Sequence, residues 1–174
     1  MPAVVPGAIG LDIDLNYVQA EDRLHLTVRT PQQRADWWIT RSLTLRLVEG
    51  WLAKLDQVPL PQLPQSPWRT ALATPPVPAP RDLSQEHGLS LEFDAPRRSP
   101  AGPTAGQLPV LVAQLTLAVT STDCKLTLVA LGAKMVLMLT RREAHTVLEM
   151  LATKVREAGW LGTASLPPWL GEGR

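Results

Sequence analysis

A strand that runs directly into a Thr-Arg helix start occurs twice in this chain, at residues 39–41 and again at residues 139–141. In both places apolar residues recur at every second position before the threonine and at three- and four-residue spacing after it. Glu49 and Glu149 keep the same offset along the chain. Because both segments share the order and the phase of their elements, the sequence predicts an internal repeat of one sheet-and-helix unit.

The first copy of this unit is predicted over residues 9–57. Alternation of apolar and polar residues predicts antiparallel strands over residues 10–18 and 24–29, and a short third strand at residues 37–39. The apolar stripe that follows predicts an amphipathic helix, with Thr40 as the residue that caps its first turn.

The second copy is predicted over residues 89–160, after a connector at residues 58–88 that is rich in proline. Proline lacks an amide donor and fixes its own φ, so this connector is expected to be extended. Leu89, Leu91 and Phe93 alternate with polar residues, which predicts the first strand of the second copy.

The rest of the second copy follows the same order of elements. Alternation predicts three more strands, at residues 110–120, 125–130 and 135–139. Thr140 and Glu143 have the spacing of a capping box, which predicts the start of a helix. Residues 161–174 are predicted to be an irregular tail.

These elements predict an α+β fold in one domain that spans residues 1–174. The chain would consist of two similar halves related by a pseudo-twofold repeat, each an antiparallel β-sheet of three to four strands followed by one amphipathic helix. A length of 174 residues is typical of a single domain with its own hydrophobic core.

Charge and composition bear on the partners and on the compartment. The formal net charge is +1, so the whole chain has no strong field that would attract nucleic acid or an acidic membrane surface. Residues 1–10 have no basic start and do not read as a signal peptide, and the chain is expected to be cytoplasmic. The excess of arginine over lysine is typical of a GC-rich coding sequence and suggests a bacterial source.

The predicted strands near the C-terminus are apolar on both faces. Leu126 and Leu128 lie on one face, whereas Val129, Val136 and Met138 lie on the other. A strand of this composition is covered on both sides. A second copy of the chain is one candidate for the second cover, so the sequence predicts a homo-oligomer or a complex with another protein, without a membrane.

The sequence predicts no catalytic residue, no metal site and no cofactor. The three histidines have no metal-ligand spacing, and His25 and His145 are interpreted as surface or boundary residues, with His87 in a polar loop. Cys124 is interpreted as a free surface thiol in a turn. Asp12 and Asp14 share one strand face and are interpreted as solvated. Enzyme activity is left open and disfavoured, because no known catalytic motif occurs.

Tryptophan and arginine are the candidate binding residues. Adjacent strand residues point to opposite faces, so one of Trp37 and Trp38 must find a cover outside the core. Two tryptophans follow prolines in segments that suit docking to a partner or to the protein itself. The full set of candidates is Trp37, Trp38, Arg41, Arg141, Arg142, Trp68 and Trp169.

Three hypotheses about the function are consistent with the sequence. The leading hypothesis is a non-catalytic protein-binding or assembly module that associates with itself. The alternative is a single-stranded nucleic-acid-binding module with tryptophan as the stacking platform. In architecture alone the two halves resemble those of the Whirly proteins, which bind single strands, although none of their diagnostic motifs is present. The weakest hypothesis is an enzyme with no recognisable motif.

Overall fold

The computed structural model describes residues 3–5, 11–31, 33–58, 83–93, 108–161 and 166–171. The elements within these residues are β1 (Ala3–Val5), β2 (Asp12–Val18), β3 (Arg23–Arg29), β4 (Arg34–Thr40), α1 (Arg41–Gln57), α2 (Leu83–Phe93), β5 (Val110–Leu111), β6 (Gln114–Val119), β7 (Asp123–Ala130), β8 (Ala133–Thr140) and α3 (Arg141–Glu157). None of the described helices is both long enough and apolar enough to cross a membrane.

The described strands form two four-stranded sheets. Their orders are β2-β3-β4-β5 and β1-β8-β7-β6. Each sheet contains three antiparallel strands from one half of the chain and one parallel strand from the other half. The predicted mixed α+β fold, with two similar sheet-and-helix halves, is confirmed.

The offset between the halves is kept in the structure. β4 ends at Thr40 and β8 ends at Thr140, and the helices α1 and α3 that follow are both 17 residues long. The strand register repeats as well, because Leu26 pairs with Trp37 in the first sheet and Leu126 pairs with Leu137 in the second. The repeat therefore extends from the helix starts to the pairing of the strands.

The two halves exchange their first strands. β1 comes from the N-terminal half of the chain but pairs with β8 of the second sheet, and β5 comes from the C-terminal half but pairs with β4 of the first sheet. A parallel pair needs a long connection between its strands, and here the partner strand comes from the opposite half of the chain. Neither sheet is completed by its own half alone.

This exchange corrects the single strand predicted over residues 110–120. The chain changes sheets between two neighbouring residues: the Val112 amide donates to the Trp38 carbonyl at 2.9 Å, and the Ala113 amide donates to the Val129 carbonyl at 2.8 Å. Successive amides of an extended chain point to opposite sides, so adjacent residues can pair with different strands. Alternation continues through the crossing, and for that reason it does not reveal the change of sheet.

The strand predicted at Leu89, Leu91 and Phe93 is wrong, because these residues belong to the helix α2. Leu83, His87 and Leu91 recur at four-residue spacing and lie on one helix face. The central residue of this face is a buried histidine, so the apolar stripe that would indicate a helix is missing. Residues 59–82 of the predicted connector lie outside the described residues, and the described tail, residues 166–171, is irregular as predicted.

The helices join the sheets into one core. α1 packs on β3 and β4 of its own half and on β6, and α3 packs on β7 and β8 and on β2. Between them lies an apolar cavity of about 20 Å³. Its lining includes the repeat-related pairs Leu26 and Leu126, and Leu47 and Val147. The hydrophobic core is therefore shared by both halves rather than divided between them.

The second face of the C-terminal sheet is partly covered within one chain. Val136 is buried, whereas Val129 and Met138 are half-buried. None of these three side chains is fully exposed to water. This agrees with the expectation that a strand with two apolar faces is covered on both sides. Homodimerisation through this face stays a prediction.

The first turns of α1 and α3 differ in the hydrogen bonds that cap them. Thr40 accepts a hydrogen bond from the Leu43 amide at 3.4 Å, whereas Thr140 forms a full capping box in which its own amide donates to Glu143 at 2.8 Å. We expect Thr140→Ala to lower the free energy of unfolding by about 1–2 kcal/mol and Thr40→Ala by about 0.5–1 kcal/mol. Urea titration of both variants gives the comparison, and an equal or reversed order would contradict it.

Candidate functional site

Five ionisable side chains join α2 to α3 in what we call the α2–α3 polar cluster. Glu86 and His87 come from α2, and Arg141, His145 and Glu149 come from α3. The three α3 residues are spaced by four, so they lie on one face of that helix. All five side chains are buried or nearly so. The cluster therefore places five ionisable side chains together between two helices.

Arg141 anchors one end of the cluster. Its Nε and Nη2 donate to the two carboxylate oxygens of Glu86, and its remaining donors reach the carbonyls of Leu55 at 3.0 Å and Thr120 at 3.2 Å. A buried ion pair is tolerated when its donors and acceptors are satisfied in this way. One guanidinium thus connects α2, the end of α1 and the turn between β6 and β7.

The two histidines connect Glu86 to Glu149 in a continuous chain. His145 Nε2 lies 3.1 Å from Glu86 Oε1, the Nδ1 atoms of His145 and His87 lie 3.1 Å apart, and His87 Nε2 lies 2.9 Å from Glu149 Oε2. Nε2 of each imidazole faces a carboxylate and therefore acts as a donor. The two facing Nδ1 atoms then need one proton between them.

The C-terminal segment closes the other end of the cluster. The rings of Trp169 and His87 have centroids 5.0 Å apart, and the Gly171 amide donates to Glu149 Oε2 at 2.8 Å. Gly171 has φ +75°, and a Cβ at this position would lie 2.8 Å from the backbone carbon of Ala152. Glycine is required there because the chain must approach α3 closely to make this hydrogen bond.

The interpretation of His145 as a surface or boundary residue and of His87 as a loop residue is wrong. His145 is fully buried on α3, and His87 is buried on α2. Their partners come from a helix more than fifty residues away in the sequence, so local pattern does not reveal them. One signal was present: Arg41 and Glu49 recur as Arg141 and Glu149, but His145 replaces Leu45. Glu86 and Glu149 were missed together with the histidines.

The interpretation of Cys124 as a surface thiol in a turn is also wrong. Cys124 lies on β7, opposite Val119 and Leu139, and is fully buried. Burial raises the pKa of the Cys124 thiol to about 11, and the negative charges of Asp123 and Glu86 act in the same direction. The thiol is therefore protonated at neutral pH and packs as an apolar group.

The predicted binding residues on β4 are separated by the pleat of the sheet. Trp37 is buried in the core, and Trp38 lies half-buried on the opposite face with its ring centroid 5.0 Å from that of His25. Arg41 is exposed and donates through Nη2 to the Trp160 carbonyl at 3.1 Å.

The structure brings two of the seven predicted residues together. Arg141 lies at one end of the α2–α3 polar cluster and Trp169 lies at the other. Arg142 is exposed on the neighbouring face of α3, and Trp68 lies outside the described residues. The six candidates that the structure describes therefore lie on several different elements, and their role in binding stays a prediction.

The outer face of the first sheet carries paired charges. Asp36 accepts hydrogen bonds from Arg34 Nε at 2.8 Å and from the Thr27 hydroxyl at 2.8 Å. Burial by itself would raise the pKa of Asp36, but these hydrogen bonds and the nearby positive charges outweigh it, so the pKa lies below its ordinary value. Asp12 is likewise paired with Arg29 at 2.9 Å rather than simply solvated. Because the arginines of this face are neutralised locally, they do not offer a basic groove to a phosphate backbone.

Metal binding and similarity to known proteins give no further lead. Over the described ranges, no group of histidine, cysteine, aspartate and glutamate side chains has an arrangement that could hold a metal ion. Comparison of the chain with protein-family models, with curated proteins and with solved structures found no match.

The Arg141–Glu86 pair predicts a large effect of one neutral substitution. We expect Glu86→Gln to lower the free energy of unfolding by about 3 kcal/mol or more, because it leaves a buried guanidinium without its countercharge. Glu21→Gln removes the carboxylate of an exposed ion pair with Arg23 and is the matched control, with an effect within about 0.5 kcal/mol. Denaturant titration measures both, and similar losses for the two variants would contradict the prediction.

The buried thiol predicts a protected cysteine. At pH 8 a thiol with a pKa of about 11 is ionised in about one molecule per thousand, and Cys124 is also inaccessible. We expect no reaction of the native protein with a disulfide reagent such as DTNB over an hour at pH 8, and one equivalent of reaction in denaturant. Rapid reaction of the native protein would contradict this expectation.

Proposed function

We propose that this protein is a non-catalytic protein-binding or assembly module that associates with a second copy of itself. The proposal is carried by an exposed apolar strip formed by β5 and the residue that lies two positions before it. The strip consists of Leu108, Val110 and Leu111, with exposed fractions of 91%, 37% and 46%. Trp38 lies next to it, because Leu111 pairs with Trp38 across β4 and β5.

The position of this strip favours contact with another chain. β5 has two residues and forms the edge of the first sheet. An edge strand leaves one side of its backbone without a partner strand and can add a strand from another molecule. Leu131, at the tip of the turn between β7 and β8, is 99% exposed. Apolar side chains concentrated at a sheet edge are typical of an interaction surface.

The inward placement of the ionisable groups supports a non-catalytic role. Arg141, Glu86, His145, His87 and Glu149 contact one another and are used to hold α2 against α3. Catalysis requires such groups to meet a substrate in a cleft. The described cavity at the centre of the core is lined by apolar side chains and is too small for a substrate.

We further propose that the protein acts in the cytoplasm.

Size-exclusion chromatography with light scattering tests the proposal. We expect the mass of a dimer at concentrations from about 1 to 100 μM, the range of a moderately tight complex. We expect Leu111→Glu to shift the protein to monomer, because a buried interface would then contain an unpaired charge. Leu89→Glu is the matched control, because Leu89 is 50% exposed but lies on α2 away from the strip.

Two outcomes would contradict the proposal. One is a wild-type monomer over the whole concentration range. The other is the same change in mass for Leu111→Glu and Leu89→Glu, which would show that self-association does not depend on the strip.

A further inference from the structure

We propose that the docking of α2 onto α3 is a proton-gated latch. His87 and His145 share a single proton while α2 is docked, and α2 is released when the pair of imidazoles gains or loses a proton. The Nδ1 atoms of the two imidazoles lie 3.1 Å apart. With no proton between them, two lone pairs would face each other in a buried site. With a proton on each, two N–H groups would face each other. One shared proton is the arrangement that gives a hydrogen bond.

The outer nitrogens fix the rest of the proton count. Nε2 of His145 lies beside the Glu86 carboxylate, and Nε2 of His87 lies beside the Glu149 carboxylate, so both donate a proton. The docked pair therefore carries three N–H protons on four ring nitrogens, which is one positive charge in total. With Arg141 and the two carboxylates, the charges of these five side chains sum to zero.

The end of α1, the turn between β6 and β7, and the C-terminal segment contact the five side chains of the cluster through backbone groups and an indole ring, which do not titrate between pH 5 and pH 9. The end of α1 and the turn between β6 and β7 contribute the carbonyls of Leu55 and Thr120. The C-terminal segment contributes the Trp169 ring, which lies against His87, and the Gly171 amide, which donates to Glu149. Arginine stays charged and a glutamate in water is ionised over this range. The proposal therefore assigns the pH response of α2 docking to the number of protons that the two imidazoles hold.

The direction of the pH effect follows from proton counting. An imidazole in water has a pKa of about 6.5. Well above that pH the two released rings carry two protons, one fewer than in the docked state, so docking takes up a proton and weakens as the pH rises. Well below it the released rings carry four protons, one more than in the docked state, so docking weakens as the pH falls. Docking is therefore strongest near pH 6.5.

The apolar contacts of α2 are limited, so the polar cluster determines whether α2 stays docked on α3. Leu83 packs against the core, whereas Leu89 is 50% exposed. α2 packs chiefly on α3, and the sheets do not depend on it for their pairing. The loss of one proton can therefore open α2 while both sheets remain folded, which would uncover the face of α3 that carries His145.

Hydrogen–deuterium exchange of the full chain between pH 5 and pH 9 tests the latch, with rates corrected for the intrinsic effect of pH. We expect the α2 amides to be protected most strongly near pH 6.5. Above this pH their opening constant should rise about tenfold per pH unit, the slope for one proton lost per opening. The α1 amides are the reference within the same molecule and should stay protected.

Two variants separate the latch from other effects. His87→Gln leaves one imidazole, His145, in the cluster, so docking can respond to pH on one side of pH 6.5 only and the maximum of α2 protection near pH 6.5 should disappear. His25→Gln removes the histidine outside the cluster and should leave the wild-type profile unchanged. A flat wild-type profile, or an unchanged profile in His87→Gln, would overturn the proposal.

A spectroscopic measurement on the wild-type chain keeps the test independent of how the variants fold. With ¹⁵N-labelled histidine at pH 6.5, we expect two of the three histidines to show protonated Nε2 atoms and one proton shared between their Nδ1 atoms. Two neutral imidazoles with no shared proton would refute the latch, whatever the exchange data show.

Discussion

The reciprocal exchange of strands between the halves is the constraint on which the rest of the structure depends. β1 completes the sheet of the second half, and β5 completes the sheet of the first half. Since α1 and α3 also pack on strands of the opposite half, neither half can bury its own apolar surface alone. The same exchange places β5 at a sheet edge, where Val110 and Leu111 remain exposed. The core and the proposed interaction surface thus have one topological origin.

The candidate site arises where the repeat is broken. α1 and α3 match in length, start and position on the sheets, and Arg41 and Glu49 recur as Arg141 and Glu149. On α1 both of these residues are exposed. On α3 the residue between them is His145 instead of leucine, and α2 covers that face. The repeated helix keeps its position on the sheets in both halves, whereas α2 packs chiefly on the copy in the second half.

The parts of the fold that depend on local spacing could be predicted from the sequence, and the parts that depend on distant partners could not. Thr140 and Glu143 form the predicted capping box because its contacts span three residues. The sheet change at Val112 depends on which distant strand each amide meets. Likewise, His87 is buried by partners on α3, so α2 has no apolar stripe that would indicate a helix. Long-range polar contacts leave no periodic pattern in the sequence.

A buried polar cluster also explains why α2 can be held specifically without being held permanently. Apolar burial stabilises a helix interface in a way that is indifferent to small shifts and to pH. Hydrogen-bonded ion pairs contribute less net stability, but they demand one geometry and one proton count. α2 is positioned by Glu86 and His87 rather than by a row of leucines, so its docking is exact in register and sensitive to protonation. The polar cluster therefore suits a segment that must dock in one place and leave it again, while the apolar core beneath stays closed.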